Sequence, residues 1–360
     1  MGDTAVKSVR RRLLEWYRKN KRDMPWRKTS DPYAIWVSEA MLQQTRVETV
    51  IPYWERFLSM FPDVHTLATA DLDDVLGAWA GLGYYSRARN LQAAARVIDT
   101  EHGGELPDDA EMLRKLPGVG RYTAGAVASI AFDRPEPVLD GNVKRVLVRF
   151  LGIREDIGRP AVVERLWREA GALVKGPNPG DLNQALMELG ATVCTPKTPR
   201  CIACPLVRLC NARNAGDAET LPIRTRKKPP REVEAVVALV LRRGKALAVR
   251  RPPEGLLGGL WDLPGDALAS GELPRAGLIR ALRERVGLTV SRPAAVGSLE
   301  HVFTHRKLKL FVFRCNTPKG RTRLDGFDTH KWLAPRSIPS LPHSAVTAKA
   351  LDLLLLQQPG

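Results

Sequence analysis

The sequence predicts two domains, an all-α part made of many short helices followed by a smaller α+β part. Three observations carry that prediction. The chain has 360 residues, too many for one ordinary core. Apolar residues recur at helical spacing from about residue 5 to about residue 215. Near residue 216 this pattern gives way to an arginine- and proline-rich stretch and then to β-like runs. With 44% hydrophobic and 26% charged residues, the chain is globular rather than disordered.

Charge narrows the partners. Lysine and arginine number 56 against 39 acids, a formal net charge of +17. Such an excess favours a polyanion such as nucleic acid, although a basic enzyme with a solvated surface would show it equally well. No apolar run approaches the ~18 residues of a membrane span, so no membrane partner is expected. Asp3 is followed by Arg10, Arg11 and Arg12 with no apolar stretch after them. The expectation is therefore a cytoplasmic protein without a signal peptide, associated with the nucleoid if its source is bacterial.

Along the helical part, Asp31-Pro32 reads as an N-cap with proline at the first helical position. The next helix carries Ile35-Trp36-Val37-Ser38-Glu39-Ala40-Met41-Leu42. Ile35, Trp36 and Leu42 are the helical neighbours of Glu39. A carboxyl against such an apolar face should have a raised pKa and suits a general acid. Breaks at Phe61-Pro62-Asp63 and Leu106-Pro107-Asp108 separate short helices. Leu116-Pro117-Gly118-Val119-Gly120-Arg121 then joins the segment containing Met112, Leu113 and Leu116 to a small-residue helix, Thr123 to Ala131. Two glycines in a tight turn permit unusual backbone conformations and leave N–H groups at a helix N-terminus, a phosphate site. This is a helix-hairpin-helix pattern. After Asp140-Gly141-Asn142 comes a helix with Val143, Val146, Leu147 and Phe150 on one face. Asp140 at its N-terminus should stay ionised. One protonated and one ionised carboxyl is what glycosidic cleavage requires. On these residues alone, a surface glutamate and a simple capping aspartate are the commoner arrangement.

Five cysteines are present, and Cys194, Cys201, Cys204 and Cys210 fall close together while Cys315 stands apart. An odd, clustered set without a leader argues for metal ligation over disulfides. Four thiolates at this spacing suit a [4Fe–4S] cluster. Structural zinc remains the rival, although its signatures usually hold two close cysteine couples and only one is present. The loop between the first two cysteines carries Lys197 and Arg200, placed to meet phosphates if the loop is pinned.

Thr220 to Glu232 holds Arg224, Arg226, Lys227, Lys228 and Arg231 with three prolines, a stiff basic linker. Strands are expected at Val233–Leu241, Ala246–Val249 and Lys309–Arg314, with a helix at Arg275–Val286. The boundaries read as 1–215 for the helical domain, with its cysteine loop at 194–210, 216–232 for the linker and 233–360 for the last domain.

Taken in order, the hairpin, Val138-Leu139-Asp140-Gly141-Asn142-Val143 and the four-cysteine loop resemble the helix-hairpin-helix DNA glycosylases with an iron–sulfur cluster. Trp36 to Thr45 and Gly81-Leu82-Gly83-Tyr84-Tyr85-Ser86 are similar to the MutY-type adenine DNA glycosylases within them. The resemblance covers nearly the whole chain, more closely in the first 215 residues. It implies one [4Fe–4S] cluster per chain and a monomer acting on double-stranded DNA with adenine opposite 8-oxoguanine or guanine. Glu39 and Asp140 would be catalytic, Asn142 would position water, and Tyr122 would hydrogen-bond near the reacting centre. Trp26, Arg27 and Gln184 match adenine-pocket positions. Gln44, beside Thr45, matches a wedge residue, and Tyr84 matches one inserted beside the lesion. Phe303-Thr304-His305 matches the segment reading 8-oxoguanine, usually Phe-Ser-His. In the bifunctional relative, endonuclease III, a lysine follows the hairpin where Tyr122 stands, so a monofunctional enzyme is implied. The last domain resembles a Nudix fold with a decayed hydrolase box. Glu272, Arg280, Leu282, Glu284, Gly287 and Leu288 are in register, but Ala281 and Arg285 replace acids and Asp266 replaces a glycine. Loss of metal-holding acids argues for recognition rather than pyrophosphate hydrolysis. A non-catalytic iron–sulfur DNA-binding protein and an endonuclease III-like glycosylase/lyase remain the alternatives.

Overall fold

The computed structural model describes residues 2–225, 229–255, 257–303 and 306–356. Contacts divide the chain into two compact units, Met1–Thr69 with Asn90–Arg226, and Ala70–Arg89 with Lys227–Gly360.

The first unit is helical. Asp31 caps helix Pro32–Leu42 by accepting from the Tyr33 and Ala34 amides. Every residue from Tyr33 to Met41 on this helix is buried. Asp140 caps helix Gly141–Leu151, and Gly152 ends it in the left-handed conformation. Val143, Val146, Leu147 and Phe150 all enter a core shared with helices Asp3–Asn20, Pro160–Val174 and Pro179–Thr192. Helix packing is tight at Gly190, where an added Cβ would meet the Asn142 Cβ at 2.6 Å. The basic stretch from residue 216 begins inside this unit. Leu221 is buried, its carbonyl accepts from Arg149 Nε at 2.9 Å, and the Ile157 amide donates to the Ile223 carbonyl. Arg226, Lys227 and Lys228 lie outside the described residues.

The second unit contains a mixed sheet of seven strands: β1 (Arg231–Arg242), β2 (Lys245–Arg250), β3 (Trp261–Asp262), β4 (Gly265–Ala267), β5 (Ala294–Val302), β6 (Arg306–Asn316) and β7 (Thr329–Leu333). Its main path runs β3-β2-β1-β6-β5, with β4 paired to β1 and β7 to β2. β1 and β6 are parallel, with Val236 opposite Phe311. Side chains of β1 alternate between faces. Val236, Ala238 and Val240 pack with Leu278, Ala281 and Leu282 of helix Pro274–Val286. Val237 and Leu239 pack on the other face with Val346, Ala350 and Leu354 of helix Ala345–Leu356. The three expected strands and the helix are present with slightly wider bounds. Strands β3, β4, β5 and β7, and the final helix, come in addition; the strands are too short or too exposed to show as apolar runs.

Segment 70–89 belongs to this unit. Arg250 pairs with Asp73 at 2.7 Å, Tyr85 Oη donates to the His343 carbonyl at 2.8 Å, and Arg89 donates to the Gly258 carbonyl.

A candidate active site and a cysteine-lined cavity

In the first unit, a cavity of about 330 Å³ gathers residues far apart in sequence. Its lining includes Trp26, Arg27, Glu39, Thr45, Tyr122, Asp140, Asn142 and Gln184. Glu39 reaches it from the buried helix and is only 5% exposed. Tyr122 Oη donates to Glu39 Oε2 at 2.8 Å. Burial pushes the Glu39 carboxyl up to about 7 and nearby Asp140 adds to the rise, while the Tyr122 bond and the Arg27 charge act against it. Glu39 therefore exchanges its proton near neutral pH, as a general acid requires.

Asp140 is gripped at both oxygens. Oδ1 accepts the Val143 amide at 2.7 Å and Oδ2 accepts Asn142 Nδ2 at 2.9 Å. The sequence favours an aspartate held down by its helix N-terminus. In the structure burial outweighs those bonds and the Arg145 charge, so its pKa lies above the ordinary value. Both carboxyls are thus raised by burial.

The cavity lining also includes Arg22 and Glu188, polar groups that carry no local motif. Glu188 has a fully buried carboxylate bonded by Arg22 Nε at 2.7 Å and Arg27 Nη2 at 2.9 Å. Burial alone would raise its pKa, but the two guanidiniums hold it below the ordinary value. Gln184 Oε1 accepts from Arg27 Nε at 3.2 Å and Tyr17 Oη at 3.1 Å. Gln184 and Glu188 are four residues apart on one helix, so helical spacing from Gln184 was the available signal. Trp26 packs edge-on to Trp54 at 6.0 Å and also lines the cavity, so it is both core and wall. Arg145 likewise carries no local motif. Its guanidinium bonds Asn142 Oδ1 at 2.7 Å and the Cys194 carbonyl at 2.7 Å.

At the hairpin, Gly118 has φ +74° and sits against Asn90, where a Cβ would fall 2.5 Å from the Asn90 Cβ. The turn requires glycine there. Gly120, expected to share that need, does not: it caps helix Arg121–Phe132 in an extended conformation with open space around it. Gln44 and Tyr84 are both exposed and both left-handed, with φ +59° and +46°.

Cys194, Cys201, Cys204 and Cys210 line a second cavity of about 30 Å³ with Arg149 and Arg213. Arg149 Nη1 lies 3.3 Å from Cys194 Sγ. Burial, helped by the neighbouring thiols and opposed by a bond from the Leu206 amide, pushes the Cys204 thiol up to about 12. A cationic ligand or cluster would relieve that repulsion, so the donor set fits one that binds thiolates. Among the described residues no three His, Cys, Asp or Glu side chains are grouped to hold a single metal ion. Lys197 is exposed on the loop. Arg200, also exposed, donates to the Thr192 carbonyl at the C-terminus of helix Pro179–Thr192.

In the second unit, Arg280 bonds Glu272 at 2.8 Å and approaches Asp266 and Glu284, while Arg285 also approaches Asp266 at 3.4 Å. Arginine charge stands beside the acids left in the decayed box. Phe303 is half-buried, edge-on to His301 at 4.6 Å. Thr304 and His305 lie outside the described residues. No described helix is long and apolar enough to cross a membrane.

Residues 37–171 match the HhH-GPD superfamily of base excision DNA repair proteins, and residues 236–353 match the NUDIX domain. The human adenine DNA glycosylase is 38% identical over an alignment covering 99% of this chain and 75% of the human protein. The adenine DNA glycosylase of Rattus norvegicus is 41% identical, covering 86% of this chain and 70% of the rat protein. Among solved structures, a thermostable thymine-DNA glycosylase superposes with a TM-score of 0.55 at 28% identity, covering 59% of this chain and 98% of its own. With a helical HhH-GPD region, a NUDIX-like α+β region and this degree of identity along its length, the chain belongs to the adenine DNA glycosylases, enzymes of base excision DNA repair.

Proposed function

We propose that this glycosylase excises adenine mispaired with 8-oxoguanine, or less favourably with guanine, from duplex DNA, and that it is monofunctional. The observation that carries the reading is the buried Glu39, poised near pH 7 beside Asp140 in one cavity. Glu39 donates its proton to the adenine ring as the glycosidic bond breaks, so the base leaves neutral. Asp140 stabilises the positive charge developing on the sugar, electrostatically or through a transient covalent bond. Asn142, held between Asp140 and Arg145, orients the water that completes hydrolysis. Trp26, Arg27 and Gln184 receive the flipped base. Tyr122 keeps its hydroxyl on Glu39, and the described residues lining the cavity include no lysine. A Schiff base at the sugar has no amine there to form it, which supports glycosylase action without lyase action.

Outside the cavity, Gln44 wedges the duplex and Tyr84 inserts beside the lesion. The Gly118–Gly120 hairpin holds phosphates through backbone N–H groups. Phe303, with Thr304 and His305, reads 8-oxoguanine. Cys194, Cys201, Cys204 and Cys210 would hold one [4Fe–4S] cluster, which when bound staples the loop carrying Lys197 and Arg200. The protein acts as a monomer, with residues 1–215 as glycosylase domain, 216–232 as linker and 233–360 as recognition domain. The test compares strand scission of A:8-oxoguanine and A:G duplexes with and without alkali. Scission only after alkali, fastest on A:8-oxoguanine, is expected. Scission without alkali would make it a lyase, and binding without excision a non-catalytic protein.

A further inference from the structure

Tyr84 is 39% exposed yet held in the left-handed region at φ +46°. A bulky residue stays there only where its surroundings enforce it. Gly81 and Gly83 precede it with φ +104° and +70°. Behind this loop lies Arg87, only 8% exposed. Its Nη2 donates to the Leu82 carbonyl at 3.2 Å and to the Gly83 carbonyl at 3.0 Å. Its guanidinium lies 5.7 Å from the Tyr84 ring centroid and 5.2 Å from that of fully buried Trp79. Trp79 Nε1 donates to the same Gly83 carbonyl at 3.2 Å. The Arg87 amide closes the turn on the Tyr84 carbonyl at 2.9 Å.

We propose that Arg87 is a positioning residue for lesion recognition, clamping the two carbonyls before Tyr84 and backing its ring so that the aromatic side chain is presented to DNA. The proposal rests on the reading of Tyr84 as the residue inserted beside the lesion. A guanidinium is required because one planar group both forks to two carbonyls and stacks on two rings. Lysine has the charge without that geometry. Burial of the cation lowers its pKa to about 10, so the placement opposes solvation and needs a structural return. Beside Tyr84 the loop is also tied to a distant part of the same unit, through Tyr85 Oη on the His343 carbonyl.

The test measures single-turnover excision on A:8-oxoguanine and A:G duplexes, together with melting temperature. The variants are Arg87→Lys, Trp79→Phe, Tyr84→Ala and the Arg87→Lys/Tyr84→Ala pair. Arg87→Lys should slow A:8-oxoguanine excision about tenfold or more, with a smaller loss on A:G, since misplacing a contact group by an ångström costs up to ~10²-fold. Trp79→Phe, which cuts one bond to the Gly83 carbonyl, should move the ratio between duplexes the same way. In the Tyr84→Ala background Arg87→Lys should cost no more than about a further factor of two. Independent, multiplying losses would overturn the proposal. So would a lowered melting temperature with an unmoved ratio in both Arg87→Lys and Trp79→Phe, since Arg87 would then only support the fold. Wild-type rates for Tyr84→Ala would instead refute the reading of Tyr84 itself, and the proposal with it.

Discussion

Glu39→Gln should remove activity and, above neutral pH, make the protein more stable. The carboxyl rises from 4.5 to about 7 because burial disfavours its charged form. Between those values the folded protein holds a proton that the unfolded chain has released. Wild-type stability therefore falls as pH rises through this window and levels off above it. A lift of this size corresponds to about 3 kcal/mol of folding free energy lost once Glu39 is ionised. Glutamine is close in shape and has no such proton. The variant should match wild type at about pH 4 and exceed it by about 3 kcal/mol at about pH 8.5, as measured by urea unfolding. Excision should fall by about 10²–10⁴-fold, the usual contribution of a general acid. Parallel stability curves across this pH range, or excision within a factor of about two of wild type, would refute the reasoning.

Tyr122→Phe removes the bond that stabilises ionised Glu39. At ~1.5–3 kcal/mol for a hydrogen bond to a charge, the alkaline limb of the excision pH profile should move up by about one pH unit or more. A limb that moves down would show that Tyr122 does not bond the carboxylate. Gly190→Ala would set a methyl against Asn142, and should cost ~1–3 kcal/mol in stability and slow excision more than a distant substitution of equal stability cost. Cys201→Ser should lower iron from about four atoms per chain and weaken DNA binding, read by metal analysis and duplex titration. Stoichiometric zinc in wild type made with ample iron would refute the cluster.

Much of the site was legible because its chemistry sits in short, ordered motifs. Asp31-Pro32 marked the start of the helix that carries Glu39, and the apolar neighbours of Glu39 foretold its raised pKa. Asp140 was placed correctly at a helix start. Its surroundings were not legible, because burial depends on packing by distant residues. Glu188 illustrates the same limit: a buried glutamate is tolerable only beside Arg22 and Arg27, more than 160 residues away. In the second unit, β1, β2 and β6 show up as strong apolar runs, whereas β5 is largely exposed and β3 has two residues. The membership of 70–89 in that unit is written in side-chain bonds to residues far downstream, not in any local pattern.

That membership constrains how the chain is made. During synthesis, residue 85 leaves the ribosome 258 residues before its partner His343. At about 5–20 residues per second, the wait is roughly 13–50 s. Helices on either side of 70–89 emerge with their own partners long before then. Segment 70–89 is therefore the last part of the early chain to reach its native neighbours, and Tyr84 with it. A shortened product ending before β1 would leave Asp73, Tyr85 and Arg89 without Arg250, His343 and Gly258. Nonsense mutations late in the gene thus reach back into sequence that is translated intact.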